Sequence, residues 1–257
     1  MCLIALSYNT HPRYKLILAT NRDEFYERPT REAQFWREEG YPDIFAGKDL
    51  KGKGTWLGVH RGGKWGALTN YRDPALEKSE APTRGDLVLN YLKSDLTAQA
   101  YLHQLKGSAS DYNGFNLLLG DEDGIYHFSN INEEITALEP GIHGLSNALL
   151  NTPWPKLERA KLDLATITNE ANFDHELLFK LLHNDRRADD KALPTTGIPL
   201  KWEKAISSIF IKTDTYGTRC SSILLIDYQG GAKFIERRFE AKTGEIRDEH
   251  AFELVFS

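Results

Sequence analysis

The stretch that most constrains this chain is its beginning. Cys2-Leu-Ile-Ala-Leu-Ser-Tyr8 is apolar, Asn-Thr-His-Pro-Arg supplies turn residues, and Tyr14-Lys-Leu-Ile-Leu-Ala-Thr20 runs back. Both runs are nearly continuously apolar, so the hairpin is expected to be covered on both faces. Further hairpins show the same pattern. One runs from Thr55 to His60 and from Lys64 to Thr69 around Arg61-Gly62-Gly63. Another joins Phe115–Leu119 to Ile125–Ser129 through Gly-Asp-Glu-Asp-Gly. A last one joins Ser222–Asp227 to Lys233–Phe239, with Phe252 to Phe256 as an added strand. Helical periodicity is grouped between them, at Asp86–Lys93, at Thr97–Lys106, from Pro153 through Ile167, and at Asp174–His183 with Asp174 as N-cap. Paired strands with segregated helices predict an α+β fold with antiparallel sheets, not the strand–helix alternation of a doubly wound sheet. Residues 1–257 read as one domain, and Arg186 to Leu200, polar with Pro194 and Pro199, reads as a surface loop inside it.

Composition removes several function classes. Lys and Arg number 32 against 37 Asp and Glu, a net charge of −5 with the signs interspersed, which argues against nucleic acid or an anionic membrane as partner. The longest apolar runs fall far short of the ~20 residues of a membrane span. Nothing basic precedes the run at Cys2, so no signal peptide is expected. Two cysteines, Cys2 and Cys220, build neither a disulfide framework nor a four-thiolate metal site, and the histidines lack metal-ligand spacing. A cytoplasmic location and no metal are the expectations. Gly47 to Gly54 approaches a phosphate-binding loop, but Gly54 stands where Ser or Thr is required, and a strand comes next instead of a helix. Its lysines, Lys48, Lys51 and Lys53, read as a solvated loop or as the mouth of a pocket.

Cys2 carries the sharpest chemistry. If Met1 is trimmed, the chain begins with a thiol whose own α-amine lies beside it. An α-amine titrates at ~7.7–8.0 and serves as general base near neutrality, and a thiol at ~8.5 needs little help to ionise. Nucleophile and base then share one residue at the start of a buried strand. The alternative is a small apolar side chain in a core. Thr20-Asn21-Arg22-Asp23-Glu24 ends the returning strand, and antiparallel pairing brings that end beside Cys2. Arg22 would stabilise a thiolate and Asp23 would hold an amine; a solvated strand end is the plainer reading.

Seven segments occur in order: Met-Cys2-Leu-Ile, Asn21-Arg22-Asp23-Glu24, Gly54-Thr55-Trp56-Leu57-Gly58, Ala67-Leu68-Thr69-Asn70-Tyr71, Gly144-Leu-Ser-Asn147, Thr152-Pro153-Trp154 and Tyr216-Gly217-Thr218-Arg219. Together they resemble the NRDE-motif family, also called the transport and Golgi organisation protein 2 family. The resemblance spans position 2 to about 240. It implies an N-terminal-nucleophile hydrolase fold, an αββα sandwich of two antiparallel sheets between helical layers. More distantly, the layout is similar to the N-terminal-cysteine amidases that cleave conjugated bile acids and penicillin V. By that resemblance Cys2 is the nucleophile, Arg22 and Asp23 are the second-strand pair, Asn70 and Asn147 are oxyanion donors, and Arg219 is the late arginine. Here Arg22 and Asp23 are adjacent whereas the amidases separate the pair, so the amine's partner is either Asp23 or Glu24. The activity implied is cleavage or transfer at a small amide, thioester or acyl conjugate, with no cofactor required. Members of the family are also linked to haem trafficking and lipid homeostasis, which implies an alternative: a carrier of haem or acyl-CoA, with His60 or His143 as axial-ligand candidates for haem.

Overall fold

The computed structural model describes residues 2–256, and at Cys2 the strand path alone. In chain order the strands and helices are β1 (Cys2–Tyr8), β2 (Tyr14–Phe25), β3 (Thr30–Trp36), β4 (Tyr41–Asp49), β5 (Leu57–His60), β6 (Trp65–Asn70), α1 (Gly85–Lys93), α2 (Ala98–Leu105), β7 (Phe115–Gly120), β8 (Ile125–Ser129), β9 (Ile135–Ala137), β10 (Gly141–Leu145), α3 (Pro155–Thr168), α4 (Glu176–Leu182), α5 (Leu200–Ala205), β11 (Tyr216–Asp227), β12 (Gly231–Phe239) and β13 (Ile246–Val255). They form a six-stranded and a seven-stranded sheet, and every strand pair with a described register is antiparallel. The α+β expectation is met.

Contacts divide the chain into two compact units, one holding the residues up to Glu27 with Glu139–Leu254, the other Arg28–Leu138 with the residues from Val255 on. Arg186 to Leu200 falls within the first unit, and α5 begins at its end.

In the first unit the strand order is β10-β1-β2-β11-β12-β13. Leu3, Ile4, Ala5 and Leu6 are all buried, and successive strand residues point to opposite faces, so the double cover predicted for this hairpin is present. On one face Leu3, Ala5, Ile17, Ala19, Ile223 and Leu225 pack with Leu157, Ala160 and Leu164 of α3 and Leu178 and Leu182 of α4. His11 fixes the turn between β1 and β2. Its Nδ1 accepts from the Arg13 and Tyr14 amides, and its Nε2 donates to the Glu170 carbonyl just past α3. Helix α3 opens at Pro155, not Pro153. Trp154, which precedes a proline, is held extended (φ −71°, ψ 142°) and so becomes the N-cap. Asp174 likewise lies one residue outside the N-cap of α4, His175, and its carboxylate accepts the Glu176 amide at 3.0 Å.

The second unit is an up-and-down meander, β3-β4-β5-β6-β7-β8-β9, with α1 and α2 on one face. Val88, Tyr91 and Leu92 of α1 and Leu102 and Leu105 of α2 pack with Leu68, Leu117, Leu119 and Phe128 of the sheet. Gly54 is pressed against the backbone of Gly85, where a Cβ would collide with main-chain atoms, and the Thr55 amide donates to the Gly85 carbonyl. That contact ties the loop before β5 to the start of α1, and it is the structural use of the glycine that breaks the phosphate-loop pattern.

Candidate functional site

Four strand segments bring motif residues to one end of the six-stranded sheet. Cys2 opens β1, and its direct partner on β2 is Arg22. Across β2 the partner of Arg22 on β11 is Cys220. On the other side of β1, Leu145 of β10 pairs with Ile4, and Asn147 lies two residues further along, level with the start of β1. Cross-strand partners share a face, so Arg22 and Cys220 point to one side of the sheet. The Cys2 side chain lies outside the described residues. Cys220 is buried, and Arg22 is 5% exposed.

Arg22 and Asp23 are neighbours in sequence and therefore point to opposite faces. Asp23 is on the helix-covered side and is 1% exposed. Its Oδ1 accepts from Thr218 Oγ1 at 2.6 Å, and its carbonyl accepts from the Tyr216 hydroxyl at 2.9 Å. Burial pushes its carboxyl above the usual range, opposed chiefly by the positive charge of Lys156 and then by the Thr218 hydrogen bond. Glu24 is more exposed, and its Oε1 accepts the Phe25 amide. Asn21 has a structural occupation: Nδ2 donates to the Leu182 and Ile209 carbonyls, and Oδ1 accepts from Ser221 Oγ.

The Tyr216-Gly217-Thr218-Arg219 segment serves this strand end residue by residue. Thr218 pairs with Asp23 and Cys220 with Arg22, which leaves Arg219 as the extra residue of a β-bulge. Gly217 permits the close approach of Tyr26 and of the Ile211 carbonyl, both of which a Cβ would strike. Thr218 Oγ1 accepts the Ile211 amide while donating to Asp23, so one hydroxyl joins two chain segments. Arg219 is half-buried and donates to the Phe25 carbonyl at 2.9 Å. Burial and the neighbouring Arg22 charge lower its guanidinium below the ordinary range. Two like charges are thus held close together at the end of β1 where Cys2 lies.

Asn147 is 1% exposed and accepts from Ser146 Oγ at 3.4 Å. The loop after it folds back on β10: Asn151 (φ +58°) accepts the Gly144 amide on Oδ1, and its own amide donates to the Gly144 carbonyl. His143 engages both ring nitrogens in this turn, Nε2 donating to the Glu139 carbonyl and Nδ1 accepting from Asn151 Nδ2.

Asn70 belongs to the second unit, where it closes β6 opposite Phe115 and is half-buried. Its strand is braced by a buried polar chain. Asn116 Nδ2 donates to Thr69 Oγ1, and His127 Nε2 donates to Asn116 Oδ1, both at 3.2 Å. An amide oxygen only accepts, so the proton is on Nε2; burial lowers the His127 pKa to about 4, so the ring is neutral. Lys48 pairs with Glu39 and lies over the Trp36 ring, so the first loop lysine is engaged structurally. Among the described residues no cluster of His, Cys, Asp or Glu is arranged to hold a metal, and no helix is long and apolar enough to cross a membrane.

Lys156 was not singled out by the motifs. It sits in the first turn of α3, 2% exposed, with Nζ donating to the Ile206 carbonyl at 3.3 Å. The sequence does carry its signal: Lys156 lies four residues before Ala160 and eight before Leu164, on the apolar stripe of α3.

A model of the family described as Transport and Golgi organisation 2 matches residues 1–241. The chain belongs to this family. Transport and Golgi organization protein 2 homolog from Bos taurus is 37% identical, covering 96% of this chain and 99% of that protein. The Homo sapiens homolog is 36% identical, with 92% of each chain covered. Among solved structures, a Caenorhabditis elegans N-acylethanolamine-hydrolyzing acid amidase ortholog superposes with a TM-score of 0.45 and 11% identity, covering 87% of this chain and 92% of that one. That likeness is general in degree, and family membership stands on the sequence matches. The family's segments have distinct physical uses in this chain. Asn21 binds the sheet to the last residue of α4 and to the Ile209 backbone, Gly217 and Thr218 build the bulge, and Gly144 lets α3 approach β10.

Proposed function

We propose that this protein is an N-terminal-cysteine amidohydrolase or acyltransferase acting on a small amide, thioester or acyl conjugate. The observation that supports it is the row at one sheet end: Cys2 opposite Arg22, Arg219 lifted beside Arg22 by the bulge, and Asn147 level with the start of β1. After Met1 is removed, the α-amine of Cys2 takes the thiol proton and the sulfur attacks the carbonyl carbon. Asn147 donates to the oxyanion that forms. The tetrahedral adduct collapses, the leaving amine or thiol takes the proton from the ammonium, and an acyl thioester remains. Water, or an acceptor thiol or amine, then attacks that thioester, gives its proton to the amine and releases Cys2. Arg22 and Arg219, two guanidiniums whose charges oppose one another, suit a substrate carrying an anionic group.

Intact mass of the purified protein is the test. The reading expects loss of Met1 and, on exposure to p-nitrophenyl acetate, gain of one acetyl group that Cys2→Ala abolishes and Asn147→Ala slows. A retained Met1, or acetylation indifferent to Cys2→Ala, overturns it. The carrier alternative expects haem or acyl-CoA binding that survives Cys2→Ala and weakens in Arg22→Ala.

A further inference from the structure

We propose that β13 is a self-association edge: two copies of this chain join there, antiparallel about a two-fold axis at His250, so that one sheet continues into the other.

Strand β13, Ile246–Val255, closes one side of its sheet, and among the described residues no strand takes up the hydrogen-bonding groups of its outer side. The other sheet edges offer less. β9 has three residues, β10 carries two glycines in five, and β3 pairs irregularly with β4. One face of β13 is open as well: Arg247, Glu249, Ala251 and Glu253, which alternate onto the same side, are all exposed.

The charges of β13 fall into two groups. Asp248 and Glu249 are answered within the chain by Arg238 and Arg237 of β12, at 2.6 and 2.7 Å. Arg247 and Glu253 are not. The Arg247 side chain is 59% exposed, and the carboxylates it faces, Asp248 and Glu240, stand 3.6 and 3.8 Å from its Nε. Glu253 enters no ion pair among the described residues. Six positions apart on one strand, these two charges are separated by about 20 Å and cannot meet within a copy. A two-fold axis at His250 sets Arg247 directly opposite the partner's Glu253, and Glu253 opposite the partner's Arg247. In the same register Ile246, 58% exposed, faces the partner's Leu254, and Glu249 faces the partner's Ala251. His250 meets its own counterpart at the axis, each ring beside its own Asp248 carboxylate at 3.3 Å. Moving the axis by one residue either way sets Glu249 opposite itself or opposite Glu253, and like charges directly across two strands are destabilising. Charge therefore selects both the occupant and the register. The contact is isologous and closed, so it stops at a dimer.

Sedimentation equilibrium of the full chain, over concentrations on the order of 1–100 μM, tests this, because an edge of this length supports a modest affinity. The wild type is expected to pass from monomer to dimer. Arg247→Glu, and separately Glu253→Arg, turns two attractive pairs into two repulsive ones and should weaken the dimer about tenfold. Both side chains are exposed, so circular dichroism and thermal unfolding of the monomers should match the wild type. The double variant Arg247→Glu/Glu253→Arg recreates both pairs with the signs exchanged, and should return the dissociation constant to within about threefold of the wild type. A wild type that stays monomeric over the whole range overturns the proposal. So does a dimer indifferent to both single reversals, which would lie on another surface. So does a double variant no tighter than the singles, which would break the two-fold register. Cys2 takes no part in this contact, and the amidohydrolase reading stands or falls separately.

Discussion

His127 offers a quantitative check on the buried polar chain that braces the Asn70 strand. Burial sets its pKa at about 4 against 6.5 for a free histidine. The folded pKa is depressed, so the contribution to stability is fully present above pH 6.5 and is lost as pH falls through 4. At pH 5 the unfolded chain carries nearly a whole proton on this ring, whereas the folded one carries about a tenth. That difference amounts to ~2 kcal/mol lost between pH 8 and pH 5, rising to ~3.4 kcal/mol below both values. His127→Gln keeps an amide donor for Asn116 but does not titrate. Urea unfolding of both proteins at pH 8, 6 and 5, read by tryptophan fluorescence, should show the wild type losing about 2 kcal/mol more than the variant. The variant's own stability at pH 8 is immaterial, because only the change with pH is compared. Parallel curves would mean that the ring is hydrated or charged in the folded protein, and the neutral hydrogen-bonded chain would be wrong.

Two further substitutions separate scaffold from chemistry. Asn21→Leu removes three buried hydrogen bonds and strands two carbonyls and a hydroxyl, so thermal unfolding should report a loss on the order of 3 kcal/mol. Any acylation defect in it should track the unfolded fraction. Gly217→Ala forces a methyl against Tyr26 and the Ile211 carbonyl, and a cost of ~1–3 kcal/mol is expected with displacement of the bulge. Acetylation of Cys2 should fall further than the folded fraction does, a comparison made by mass and circular dichroism on one sample.

The central hairpins, α1, α2 and the α3–α4 pair were legible because their apolar periodicity is strong. Cys2 and Arg22 could be placed together from hairpin geometry alone, and their register bears this out. Strands β3 and β4 escaped: β3 is an edge strand with irregular pairing, its partner β4 begins Tyr-Pro-Asp, and mixed burial leaves neither an alternating pattern. The three-residue β9 and the edge strand β10 with its two glycines were missed for similar reasons. Helix α5 hid within a proline-marked polar stretch. At the site, hairpin geometry suggested that Arg22 and Asp23 both approach Cys2. Alternation along a strand sends them to different faces, so only Arg22 shares its side with the Cys220 thiol.

The single additional residue at Arg219 fixes more than a local bend. Ordinarily Thr218 and Cys220, two apart on a strand, would project to the same side. Because β11 gains one position between them, the hydroxyl reaches Asp23 on the helical side while the thiol stands beside Arg22 on the reverse. Removing one amino acid from this segment would invert that parity, taking the hydroxyl from the carboxylate while every individual side chain remained present. The spacing between Gly217 and Cys220 is thus itself a structural element, and length variation there should be tolerated less than substitution.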